Sequence, residues 1–128
     1  MTEQSRHTFR KAERLCSKKR IETLFAGSKA ISAYPLRVVF KQKDEEPTQL
    51  LITVSKRHFK HAVDRNRTKR LIREAYRLNK SLLLDSPSMQ GKSLDMAFIW
   101  LSDELSDFPT VEARVKNLLQ RIAEFLEA

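Results

Sequence analysis

The stretch "LDMAFIWL", Leu94 to Leu101, is a nearly continuous apolar run. A run this short bounded by polar residues reads as a strand, and a strand without a polar face has to lie buried in a sheet. The rest of the chain must therefore supply strands to pair with it and helices to cover it. Two other segments can pair. "LLITVS" is rich in β-branched residues and suits a strand covered on both faces. In "YPLRVVFKQK", Leu36, Val38 and Phe40 alternate with Arg37, Val39 and Lys41, the period of a strand.

The helices follow from the other period. Ile21, Leu24 and Phe25 stand at i, i+3 and i+4, and Gly27 stands where a helix commonly stops, so a short helix is predicted over Ser17 to Ala26. Val111, Val115, Leu118, Leu119, Ile122 and Leu126 form one stripe of a closing helix. "KDEEPTQ", "SPSMQGKS" and "SDELSDFP" are loops by composition. The predicted order is helix, strand, strand, long helix, strand, helix: a single two-layer α+β domain with a mixed sheet. A chain of 128 residues fits one domain, and a domain of this size buries about two-thirds of its unfolded surface. Residues 1–128 are thus expected to form one domain, with residues 1–8 a flexible basic tail.

Charge argues for a polyanionic partner, nucleic acid or less often an anionic membrane. The 25 Lys and Arg outnumber 16 Asp and Glu, a net of +9. Residues 1–80 hold 21 basic and 8 acidic side chains, a net of +13, while residues 81–128 hold 4 and 8, a net of −4. One part of the molecule is built to meet a polyanion.

That charge concentrates in "DRNRTKRLIREAYRL", Asp64 to Leu78. At 100° per residue, Thr68, Leu71, Ile72, Ala75 and Tyr76 share one apolar sector, which must face the sheet. Asn66, Arg70, Arg73 and Arg77 lie opposite, flanked by Arg67 and Lys69. Like charges at i, i+4 repel by a few tenths of a kcal/mol per pair, and Asp64 and Glu74 are the only acids nearby. A phosphate backbone rewards such a row, because each neutralised phosphate releases a counterion and guanidinium grips phosphate as a fork. The bland alternative is a solvated face, which the uneven charge of the chain disfavours. Just upstream, "SKRHFKH" sets Lys56, Arg57 and Lys60 at the entry to the helix, where free backbone N–H groups already favour anions.

Other chemistries find less support. Cys16 is the only cysteine, so a disulfide framework and a thiolate zinc site are excluded. No apolar run approaches the ~20 residues of a membrane span, and "MTEQSRHTFRKAERL" has no apolar signal core. A cytoplasmic protein without membrane contact is expected. His58 and His61 lack a third ligand and read as basic surface. "QGKS" lacks the first glycine of a phosphate loop, since Ser86 stands in its place. Asp95, Asp103, Glu104 and Asp107 lie in the acidic third and read as loop solubility rather than a metal-binding nuclease centre. Trp100 reads as core. No catalytic residue and no metal ligand is assigned to the protein.

"RNRTKRLIREAYR", led by "VSKR" and "HAVD", resembles the signature of the bacterial ribonuclease P protein family. "IETLFAG" resembles the family's first helix and "LDMAFIW" the strand after the long helix, so the likeness spans roughly residues 9–125, with the central third specific. The resemblance implies a subunit that assembles with a large catalytic RNA. The holoenzyme removes the 5′ leader from precursor tRNA with divalent metal, usually Mg²⁺, held mainly by RNA, and the protein alone is non-catalytic. It implies that Arg65, Asn66, Arg67, Lys69, Arg70 and Arg73 face the catalytic RNA, with Lys56 and Arg57 at the same surface or at the leader cleft. It implies a cleft for the leader between the first helix and the sheet, lined by Ile21 and Phe25. Spacing alone reads both as core. Ile21 stands where many members carry an aromatic, and "KRHFKHAV" lacks a glycine that many carry before the helix. The resemblance also implies a left-handed crossover through the arginine-rich helix, against the common right-handed rule. No obligate protein partner is expected.

Two other classes compete. A ribosomal or helix-in-groove DNA-binding protein would also carry a basic helix, but no second short helix precedes this one as a helix-turn-helix requires. A membrane-surface helix would need a Trp- and Phe-rich apolar face, and here the apolar sector is committed to the sheet.

Overall fold

The structure is a computed structural model, and it describes residues 9–44 and 47–127. The expected basic tail at residues 1–8 lies outside the described residues. Helix α1 spans Lys18–Gly27, strand β1 Lys29–Ala33, β2 Leu36–Lys43 and β3 Gln49–Thr53. Helix α2 spans Ala62–Asn79, the single turn α3 Ser81–Leu84, strand β4 Ser93–Trp100 and helix α4 Phe108–Glu127. The strands form one mixed sheet in the order β1-β2-β4-β3. β2 runs antiparallel to both β1 and β4, and β3 runs parallel to β4.

The apolar run is central, as its composition requires. β4 pairs on both edges, and every residue of it except Ile99 is buried. Alternation then sorts the side chains. Leu36, Val38 and Phe40 of β2 join Leu94, Met96, Phe98 and Trp100 of β4 on one face. The apolar stripes of α2 and α4 cover that face through Ile72, Ala75 and Tyr76, and through Val111, Val115, Leu118, Leu119 and Ile122. The opposite face carries Val39 and Ala97, which are cross-strand partners. There α1 adds a smaller layer through Leu24, with Leu15 beside it and Ile21, Leu51 and Ile99 partly buried around them.

Local chemistry sets the boundaries. The Ser17 hydroxyl accepts from the Arg20 N–H at 3.4 Å and caps α1. The Asp107 carboxylate accepts from the Thr110 N–H at 3.1 Å and caps α4. Gly91 takes φ +75°, the left-handed region open to glycine, in the turn that enters β4. Each predicted element is present, shifted by a residue or two at its ends. β1 is the exception: "KAISA" is a short edge strand with no buried residue, and its alternation is too weak to read from sequence.

The segment before α1 is ordered by its contacts. Arg14 bridges Leu50 in parallel, and the Leu15 N–H donates to the Leu50 carbonyl at 2.9 Å, which occupies the outer edge of β3. Glu13 pairs with the buried Lys80 at 2.6 Å, and the Phe9 ring meets Tyr76 edge-on at 5.8 Å. Burial pushes the Tyr76 hydroxyl well above its ordinary pKa, with the nearby Glu13 carboxylate adding to the shift. Tyr76 therefore stays a neutral packing residue.

Candidate nucleic-acid interface

Helix α2 divides as its periodicity demands. Thr68, Ile72, Ala75 and Tyr76 are buried against the sheet. Asn66, Arg67, Arg70 and Arg73 are exposed, and their side chains make no hydrogen bond or ion pair among the described residues. At about 1.5 Å of rise per residue these donors span roughly 10 Å of one rigid support. Lys69 is half-buried beside them.

Two arginines of the segment behave differently. Arg65 is half-buried, and its Nη1 donates to the Phe59 carbonyl at 2.9 Å and the Lys60 carbonyl at 3.0 Å. It closes the turn that leads into α2, and only the remainder of its guanidinium faces outward. Arg77 donates through Nε to Glu74 at 3.0 Å, with a second bond from Nη2 to the other carboxylate oxygen. The Arg77 hydrogen bonds hold the Glu74 carboxyl below its ordinary range, and the carboxylate in turn raises Arg77. The sequence placed Arg77 in the open row, but Glu74 three residues earlier pairs with it along the same face.

The junction before α2 is also basic and exposed. Lys56, Arg57 and Lys60 lie on the surface between β3 and the helix. The Ser55 hydroxyl accepts from the Arg57 N–H at 2.9 Å and shapes the turn. His58 Nδ1 lies 2.7 Å from Asp103 Oδ1, tying this turn to the loop after β4. His61 precedes the first helical residue without a side-chain cap, so the N–H groups at this end keep their capacity for an anion.

On the opposite face of the sheet, α1 presents the two residues expected at the leader cleft in different ways. Ile21 is half-buried in the small cluster. Phe25 is 47% exposed, so it is not the core residue its spacing suggests. Arg37 shares this face, since it pairs with Ile99 in register and is exposed. Sequence reasoning passed over Arg37, although its alternation with Val39 and Lys41 was the signal.

A second omission is Asp95. It is not a solvating loop acid: it is 7% exposed in β4. Lys43 Nζ lies 2.7 Å from its Oδ1 and Arg20 Nε 3.6 Å from its Oδ2. Arg20 and Lys43 also donate to the Gln49 side-chain oxygen at 3.4 and 3.2 Å, and the Gln49 amide donates to the Ala12 carbonyl at 3.0 Å. This network joins α1, β2, β3, β4 and the N-terminal segment. Among the described residues, no group of three or more His, Cys, Asp or Glu side chains is placed to hold a metal ion.

Comparison with known proteins decides which family carries this geometry. The family profile named Ribonuclease P matches residues 9–123. The chain belongs to the ribonuclease P protein family. A ribonuclease P protein component of Porphyromonas gingivalis is 44% identical over 126 residues, covering 96% of this chain and 92% of the relative. One from Thermotoga maritima is 32% identical over 118 residues, covering 90% and 96%. The solved ribonuclease P protein of Thermotoga maritima superposes with a TM-score of 0.70 at 29% identity, covering 85% of this chain and 96% of that one. The ribonuclease P match spans α1 through most of α4, so it takes in the arginine face, the α1 face and the strands that position both. No helix among the described residues is long and apolar enough to cross a membrane.

Proposed function

We propose that this protein, as a tRNA-processing subunit of the ribonuclease P ribonucleoprotein, grips the catalytic RNA with α2 and holds the leader of precursor tRNA against α1 and the sheet. The observation that carries the reading is the row Asn66, Arg67, Arg70 and Arg73, exposed and unpaired among the described residues, on the side of α2 away from the core. Lys69, Lys56, Arg57 and the outward part of Arg65 extend that surface. On this reading, as the family resemblance implies, the chemistry of hydrolysis belongs to the RNA, with Mg²⁺ held there. The protein's own part is to bind, to screen phosphate repulsion and to orient the leader. Phe25 and the half-buried Ile21 line the proposed leader cleft, with Arg37 near its floor. The cytoplasm, where precursor tRNA is made, is the proposed location.

The test is the salt dependence of binding. Replacing Arg67, Arg70 and Arg73 together by Gln should weaken binding to ribonuclease P RNA at moderate salt. It should also flatten the plot of log K against log salt by roughly 0.7–0.9 for each phosphate that is no longer neutralised. An unchanged slope would move the RNA grip off this helix.

A further inference from the structure

At the end of α1, a cavity of about 210 Å³ opens between the α1–β1 turn, β2, the start of β4 and the last turns of α4. No residue of α2 lines it. Phe40 and Leu94, both core residues, form its apolar floor. Phe125 walls it, 43% exposed, with its ring edge-on to Phe40 at 5.5 Å. The Lys29 ammonium lies over the Phe125 ring, 5.7 Å from its centre. Lys41 and Gln42 complete the rim.

These parts match one ligand chemistry. An exposed ring face that already attracts a cation is a stacking surface. Lys29 is exposed and forms no ion pair among the described residues. A flat apolar face beside an ammonium group is what an unpaired base and its phosphate require. Gln42 offers both donors and an acceptor to a base edge. Glu124 and Glu127 flank Phe125 on α4, so a strand's phosphates must run on the Lys29 side.

We propose that this cavity takes an unpaired base of the precursor leader beyond the cleft at Phe25. The base stacks on Phe125, and Lys29 holds its phosphate. This rests on the leader reading above. Phe25 is exposed two residues before Gly27, which lines the cavity, so a strand crossing the end of α1 passes from one aromatic to the other. The arriving base displaces the Lys29 ammonium from the ring, and that ammonium turns to the phosphate.

The test uses assembled holoenzyme, with Ca²⁺ in place of Mg²⁺ to slow cleavage, and two precursor tRNAs. One has a leader ending at the cleft and the other a leader extending past it. Phe125→Leu keeps apolar bulk against Phe40 but removes the ring, and Phe125→Trp restores a ring. Phe125→Leu should raise Kd for the long leader about tenfold and leave the short one unchanged, with Phe125→Trp near wild type. Equal weakening of both precursors, or weakened binding to the catalytic RNA alone, would overturn the inference. If Phe125→Leu changes nothing while Phe25→Ala weakens precursor binding, the cavity inference fails and the cleft stands. If Phe25→Ala changes nothing while Phe125→Leu abolishes the advantage of the long leader, the cleft reading fails and the cavity stands.

Discussion

Arginines four or five positions apart on α2 do unlike things. Arg65 satisfies two backbone carbonyls of the turn at Phe59 and Lys60, whereas Arg70 has no partner among the described residues. Substituting them should separate two effects. Arg70→Ala should weaken RNA binding and leave the melting temperature nearly unchanged. Arg65→Ala should also lower the melting temperature, since it strands carbonyls at the start of α2, a cost of about 1–2 kcal/mol. Equal melting temperatures for the two variants would contradict the structural part assigned to Arg65. Phe25→Ala should reduce affinity for precursor tRNA relative to mature tRNA, by about tenfold, and an unchanged preference would remove Phe25 from the cleft. Asp107 offers a pH test. Hydrogen bonds from Thr110, its hydroxyl first and then its N–H, hold the Asp107 carboxyl below its ordinary range. A carboxyl depressed in the folded state stabilises above its unfolded pKa of about 3.9, and that stability is lost as pH falls through the lower folded value. Asp107→Asn keeps a cap without the charge, so its melting temperature should converge on wild type as the solution is acidified. A constant gap across pH would contradict the assignment. Side-chain periodicity made the α2 row legible in the sequence; it could not tell which arginines the backbone and Glu74 had already engaged.

Elements were legible where burial imposed a strong period. β4 announces itself as an apolar run, and the α2 and α4 stripes match the buried residues closely. β1 was not legible, because an edge strand without buried residues carries no such pattern. Asp95 was misread for a related reason. Its neighbours in sequence, Leu94 and Met96, are both apolar, but its partners Arg20 and Lys43 come from two other elements and bond Gln49 of a third. The network locks α1 onto the sheet through a nearly buried carboxylate. Asp95→Ala should lower unfolding stability by about 3 kcal/mol, since it leaves two cations facing each other without their anion. The urea midpoint measures this, and a negligible shift at constant slope would mean that the network is dispensable. The same variant should bind precursor tRNA less selectively, because the position of Ile21 and Phe25 depends on α1.

At the scale of the whole molecule, the sheet separates duties. One face is filled by α2 and α4 and makes the core; the other is only partly covered by α1 and leaves Phe25 and Arg37 open. Basic charge gathers in the N-terminal two-thirds, on the helix turned away from the core and on the turn before it. Composition revealed that asymmetry at once. The proposed leader cleft was not visible in it, because spacing alone assigned Ile21 and Phe25 to the core and only the family resemblance pointed elsewhere. The arrangement suits a protein that joins two nucleic acids, a structured RNA at α2 and a single strand at α1. The most direct measurement combines purified protein with the ribonuclease P RNA of its own source and a 5′-extended precursor tRNA, at Mg²⁺ too low for the RNA alone to act. The account predicts restored cleavage at the mature 5′ end. Absent cleavage, together with RNA binding no tighter than to any other polyanion, would contradict it and leave α2 as a phosphate-binding helix for another partner.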